Sequence, residues 1–289
     1  MFQILVFLEK KEMSESVEIL TKKKIVPDDF FNALVKLGER FCVTSNEFPC
    51  LKFGTLYKSL RGVEVNQEDD GYEVRICSFS TYDDYRLFRV SIDVMKELTG
   101  GKVSYLEEII DSSDYFDDKW IESEMDAGIS TVTVLARHEN ETITLYGMFA
   151  PFCFGPKMLD FFGLSDGHMP DKSEMCSIRK YFCDMQWSLE DKVGTQSDLM
   201  VKGENGEIDK AVSLITIKNG KVSKFDYISY APMVAVGDLD NDNVALLDFE
   251  KFKEIVPQDK VEYLDECQML VKIPFTVEDV LRMIDFGKQ

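Results

Sequence analysis

The most suggestive run of oxygen ligands in the chain is Gly237-Asp238-Leu239-Asp240-Asn241-Asp242-Asn243. Carboxylates at alternate positions are what a hard cation such as calcium requires. Asp238, Asp240 and Asp242 match the opening of a calcium loop, but the match then breaks twice. The sixth position holds Asn243 where the loop uses glycine, and the twelfth holds Phe249 where a bidentate Glu belongs. The competing reading is a polar turn ahead of the strand Val244-Ala245-Leu246-Leu247. The expected cofactor is therefore none, with calcium at Asp238, Asp240 and Asp242 as the alternative.

Nucleophilic chemistry has little to build on. The histidines are His138 and His168, and His168 lies in Ser165-Asp166-Gly167-His168-Met169-Pro170. Ser165, Asp166 and His168 have the residue types of a hydrolytic triad, but a triad is defined by geometry. The Gly-x-Ser-x-Gly elbow is absent, as are Gly-x-Gly-x-x-Gly, Gly-x-x-x-x-Gly-Lys-Ser/Thr and Cys-x-x-Cys. Adjacent acids such as Asp83/Asp84, Glu107/Glu108 and Asp117/Asp118 diverge on a helix, so they do not form a catalytic pair by spacing alone.

An aromatic stretch, Tyr146-Gly147-Met148-Phe149-Ala150-Pro151-Phe152-Cys153-Phe154-Gly155-Pro156-Lys157, is the best candidate for a pocket or contact surface. Its alternative is a buried crossover that fills the core. Cys153 there has one nearby cation in sequence, Lys157, to lower its pKa. The seven cysteines are scattered in apolar surroundings, which suits free thiols in a reducing compartment.

These residues need elements to hold them. Phe2 to Leu8 reads as a first strand, too short and wrongly flanked for a signal peptide. Pro27-Asp28-Asp29 opens a helix. Tyr72 to Cys77 alternates as a strand. Ser80 or Thr81 caps a helix whose stripe runs through Tyr85, Phe88, Ile92 and Met95 and stops at Gly100-Gly101. Ile129 to Ala136 and Thr142 to Phe149 read as one hairpin. Val212 to Lys218 and Val222 to Ile228 read as another, around Asn219-Gly220. Pro156 to Phe162 and Ser173 to Leu189 read as helices, as do Phe249 to Ile255 and a last segment opened by Thr276-x-x-Asp279. Met233 to Val236 and Met269 to Ile273 read as strands. The expected fold is α+β: mostly antiparallel sheets with hairpins, packed by several amphipathic helices. Residues 1–110 and 127–289 would be its halves, joined by an acidic connector at 111–126; a single compact domain is the alternative.

Two stretches resemble a known family. One is Tyr72 to Gly101, with Ser80-Thr81-Tyr82-Asp83-Asp84. The other runs from Leu145-Tyr146-Gly147 through Phe152-Cys153-Phe154-Gly155-Pro156-Lys157-Met158. With Asp265-Glu266-Cys267-Gln268, they resemble a family of bacterial proteins of unknown function. The resemblance implies a bacterial cytoplasmic origin and no activity or site residue.

Composition narrows the function classes. The chain has 289 residues, 53 acidic against 33 basic, for a net charge of −20, and 45% of it is hydrophobic. That is enough apolar matter for a core, and the charge sign disfavours nucleic acid and anionic membrane. The expectation is a non-enzymatic, cytoplasmic, acidic interaction protein that binds a basic partner, as a toxin-neutralising immunity protein would. Its candidate contact residues are Asp114, Asp117, Asp118, Tyr146, Phe149 and Phe152. The alternative is an enzyme or small-ligand protein that uses Asp238 to Asp242 or the pocket near Phe149 to Phe154.

Overall fold

The computed structural model describes residues 14–138, 142–189, 195–202, 208–218, 224–226, 233–238, 243–266, 268–273 and 275–288. The chain forms two compact units. The first is Met1–Glu141, Tyr146–Phe149 and Leu159–Trp187; the second is Thr142–Leu145, Ala150–Met158 and Ser188–Gln289. The expected strand at Phe2 to Leu8 lies outside the described residues.

The first unit opens with β1 (Ser14–Leu20), α1 (Pro27–Lys36), β2 (Phe41–Glu47), β3 (Cys50–Thr55), β4 (Val63–Glu68) and β5 (Gly71–Cys77). Then follow α2 (Tyr82–Thr99), β6 (Lys102–Tyr105), β7 (Glu108–Ile110) and α3 (Asp118–His138). Its seven strands form one sheet in the order β2-β3-β4-β5-β1-β6-β7, with every neighbouring pair antiparallel. In β5, Tyr72, Val74 and Ile76 are buried while Glu73 and Arg75 face outward, the period-two pattern of a sheet with one covered face. Helix α2 supplies that cover through Tyr85, Phe88, Ile92 and Met95. Each such side chain contributes roughly 1.5–3 kcal/mol of apolar burial. The α2 ends follow the sequence signals: Thr81 and Asp84 form a capping box, and Gly100 closes the helix with φ +68°.

Two sequence expectations change here. Ile129 to Ala136 is helical, in the middle of α3. Its β-branched residues bury one helical face with Ile121, Gly128, Ile129, Val132, Thr133 and Ala136, so the 3.6-residue period outweighs β propensity. Gly128 is needed there, because a Cβ would lie 2.6 Å from the backbone nitrogen of Phe79. The acidic stretch 111–126 is a 3-10 turn at Ser113–Tyr115 followed by the start of α3, and the two units do not divide there.

The chain next forms β8 (Ile143–Tyr146), β9 (Pro151–Phe154) and α4 (Pro156–Phe161), and returns to the first unit with α5 (Lys172–Leu189). Strands β8 and β9 pair with each other. Phe152 and Phe154 are fully buried, so the second half of the aromatic stretch fills a core. Cys153 is disulfide-bonded, which corrects its reading as a free thiol. Cys42, Cys50, Cys77, Cys176 and Cys183 are not in disulfides.

The second unit continues with β10 (Thr195–Lys202), β11 (Ile208–Lys218), β12 (Lys224–Asp226), β13 (Met233–Asp238), β14 (Asn243–Asp248), α6 (Phe249–Ile255), β15 (Val261–Tyr263), β16 (Gln268–Val271) and α7 (Val277–Gly287). One sheet runs β10-β11-β13-β14 and another β12-β16-β15. The expected hairpin around Asn219-Gly220 does not form between its flanking strands. β11 pairs with β10 and, in parallel, with β13, while β12 pairs with β16; the turn itself lies outside the described residues. Val234, Val236, Leu247, Phe252, Val280 and Ile284 form the core of this unit. The fold is α+β, predominantly antiparallel, as the patterning implied.

Candidate functional site

Residues 106–118 read Leu-Glu-Glu-Ile-Ile-Asp-Ser-Ser-Asp-Tyr-Phe-Asp-Asp, with six carboxylates and no lysine or arginine. They begin at the β6–β7 turn, on the edge of the seven-stranded sheet. The central turn residues, Leu106 and Glu107, have φ values of +50° and +66°. Both positions of a type I′ turn require a positive φ, which normally selects Asn or Gly. Leucine there is strained, at a cost of order 1 kcal/mol. Leu106 is nonetheless 74% exposed, and Ile109 and Tyr115 beyond it are 57% and 54% exposed.

The segment is held firmly from beneath. Phe116 is fully buried, with ring centroids 4.8 Å from Trp120, 5.0 Å from Tyr105 and 5.4 Å from Phe88. Ser113 donates its hydroxyl to Asp93 at 2.7 Å, and Lys96 donates to the Asp111 carbonyl. The expected contact acids all lie here, and each also has local work. Asp114 accepts from the Ser112 hydroxyl at 3.0 Å; Asp117 caps α3 by accepting from the Trp120 amide at 2.8 Å; Asp118 accepts from Tyr82 and Arg89. Glu107, Glu108 and Asp111 have no ion-pair partner among the described residues. The result is an acidic strip with an apolar centre on a strand whose one sheet neighbour among the described residues is β6.

The aromatic candidates do not join it. Tyr146 is exposed, with its carbonyl accepting from Arg61 Nε at 3.0 Å. Phe149 is half-buried, its ring 5.0 Å from Trp187. Phe152 has no exposed surface, so it is withdrawn as a contact residue. Of the calcium candidates, Asp238 ends β13, and Asp240 and Asp242 lie outside the described residues. Among the described residues, no cluster of three metal-ligating side chains occurs. The triad types also separate. His168 lies between Asp166 (2.5 Å) and Glu174 (3.2 Å), while Ser165 donates to Asp160. The two carboxylates, Asp166 foremost, raise the His168 pKa.

Sequence reasoning missed Leu106, Ile109 and Tyr115, because no Asn or Gly marks the turn that exposes them. A family described as a domain of unknown function, DUF4299, matches residues 14–177, more than half of the chain. The chain is a member of the DUF4299 family. The matched segment contains the whole seven-stranded sheet, the acidic strip and α3. No curated protein and no solved structure matches this DUF4299 chain. Among its described residues, no helix is long and apolar enough to cross a membrane.

Proposed function

We propose that this DUF4299 chain is an interaction protein that binds a basic partner through residues 106–118, without catalysing a reaction. The observation that carries the reading is Leu106, a strained and exposed leucine at the tip of a hairpin beside Glu107, Glu108 and Asp111, carboxylates with no ion-pair partner among the described residues. Apolar groups ringed by charge are the anatomy of a docking surface: the centre supplies affinity and the rim supplies speed and selectivity. The edge of β7 that is unpaired among the described residues suits an extended segment that adds a strand.

Calorimetry with a peptide of alternating lysine and leucine tests this. Affinity should fall at least tenfold between about 20 mM and about 500 mM salt. Leu106→Asp with Ile109→Asp should weaken it by a similar factor. Charge reversal at Asp69 and Asp70, in the β4–β5 turn, should not. Binding that is indifferent to salt, or that depends equally on the two acidic regions, would overturn the proposal.

A further inference from the structure

A second feature of the first unit concerns a cation in this very acidic chain. Three arginines of the unit lie largely out of water, and two of them are well supplied with acceptors. Arg61 donates from Nε to the Tyr146 carbonyl (3.0 Å) and from Nη1 to the Ser78 carbonyl (2.6 Å). Arg137 donates to the carbonyls of Gly167 (3.1 Å), Leu164 (2.7 Å) and His168, with its Nε alone left unpartnered among the described residues. Both clasp one stretch of backbone to another.

Arg179 differs. It is 8% exposed, and its one hydrogen bond among the described residues runs from Nη2 to the Met125 carbonyl. Among the described residues its Nε is buried without a partner, and no carboxylate stands at ion-pair distance. Burial lowers its pKa, and the more distant Asp126 carboxylate opposes that. A guanidinium has five N–H donors, and leaving it buried and under-used is costly.

Arg179 is one of the residues that line a cavity of about 330 Å³. Tyr57, Tyr82, Met125 and Cys183 form its walls. Burial pushes the Cys183 thiol up to about 12, so it is a wall and not a nucleophile. The other charges around the cavity cancel in pairs: Lys58 with Asp83 at 3.4 Å and Lys180 with Asp184 at 2.6 Å. Arg179 is left as the uncompensated charge. The loop that carries Tyr57 and Lys58 is pinned, because the buried Asp84 carboxylate accepts from the amides of Leu60 (3.0 Å), Arg61 (3.3 Å) and Gly62 (3.0 Å). Tyr57 itself has a φ of +61°, and its ring sits 5.1 Å from Trp187. The cavity thus has aromatic walls on a fixed frame.

The geometry points to a binding site for a small aromatic oxyanion, whose carboxylate or phosphate oxygens take up the unused donors of Arg179 while its ring lies between Tyr57 and Tyr82. A planar, forked donor and a planar or tetrahedral oxyanion are natural partners.

The full chain, labelled with nitrogen-15, is titrated with benzoate and with phenyl phosphate at constant ionic strength. The Arg179 Nε–H resonance is followed in the wild type, so the readout does not depend on any variant folding. It should shift saturably with at least one of the two anions, and whichever binds more tightly identifies the head group. Arg179→Met should lose at least about tenfold in affinity with an unchanged or raised melting temperature, because it deletes a desolvated charge. An Arg179 resonance that neither anion moves overturns the inference. So does an Arg179→Met variant that folds and binds within twofold of the wild type.

Discussion

Glu266 shows how local surroundings set a residue's contribution. Burial raises its pKa, against the backbone amides of Met158, Glu266 and Lys157 and the Lys157 cation. Its Oε1 accepts from the Met158 amide at 3.0 Å, while its buried Oε2 has no partner. The folded state therefore holds this proton more tightly than the unfolded state, and stability falls as pH rises from the ordinary carboxylate range through the raised value. Glu266→Gln keeps the accepting oxygen and removes the charge. It should raise stability at pH 7 by up to about 1 kcal/mol and flatten that fall, as read from urea melts across pH. Asp279 behaves in the opposite way. Burial pushes its carboxyl up, but hydrogen bonds from Lys260 and Thr276 outweigh this and hold it at about 2. Its contribution is complete above the ordinary aspartate range and is lost as pH falls toward 2. Asp279→Asn should cost about 1 kcal/mol at pH 7 and little at pH 2. The Thr276–Asp279 box was legible because its partners are three residues apart. Glu266 was not, because it meets Met158 across 108 positions.

Elements that announce their own ends were read well. α2, with its Thr81 cap and Gly100 stop, and α6, at Phe249–Ile255, appear where the sequence placed them. Elements whose identity depends on what they face were misread. α3 is rich in β-branched residues yet helical, and β11 gives its edges to β10 and β13 instead of to the strand after Asn219-Gly220. The β6–β7 hairpin escaped notice because Leu106 and Glu107 occupy a turn that glycine would fill more easily. That strain gives a direct test. Leu106→Gly should raise stability by about 0.5–1 kcal/mol, since little packing is lost at so exposed a site, while weakening binding of the cationic peptide. A gain in stability without a loss of binding would separate the strain from the docking role. At the other end of the sheet's covering helix, Asp84→Ala should cost about 3 kcal/mol or more in chemical denaturation, because it strands the amides of residues 60–62.

Across the whole molecule, a net charge of −20 works against compaction. The melting temperature at pH 7 should rise when sodium chloride is increased from about 20 mM to about 500 mM, as screening relieves the repulsion. An uncharged osmolyte at matched osmolality separates this effect from general exclusion. The acids concentrate at 106–118 and again around the β4–β5 turn, where Glu18, Glu68, Asp69, Asp70 and Glu73 border a cleft of about 490 Å³. Total charge and the acidic run at 111–118 were legible in the sequence; the approach of Glu18 to Glu73 was not, because it depends on β1 pairing with β5. The division of the chain was hidden for a related reason. Met148 donates its amide to Leu60, and Trp187 donates its indole N–H to Ser59, so the first unit depends on segments that follow its own sheet by many residues. During synthesis, a ribosome that has released residues up to Glu141 has delivered the entire sheet but not Tyr146–Phe149 or Leu159–Trp187. The loop at Ser59 and Leu60 can be pinned by Asp84 at that point, but it must wait for its bonds from Met148 and Trp187 until translation has passed through Thr142–Leu145 and Ala150–Met158, which belong to the other unit, and reached Trp187.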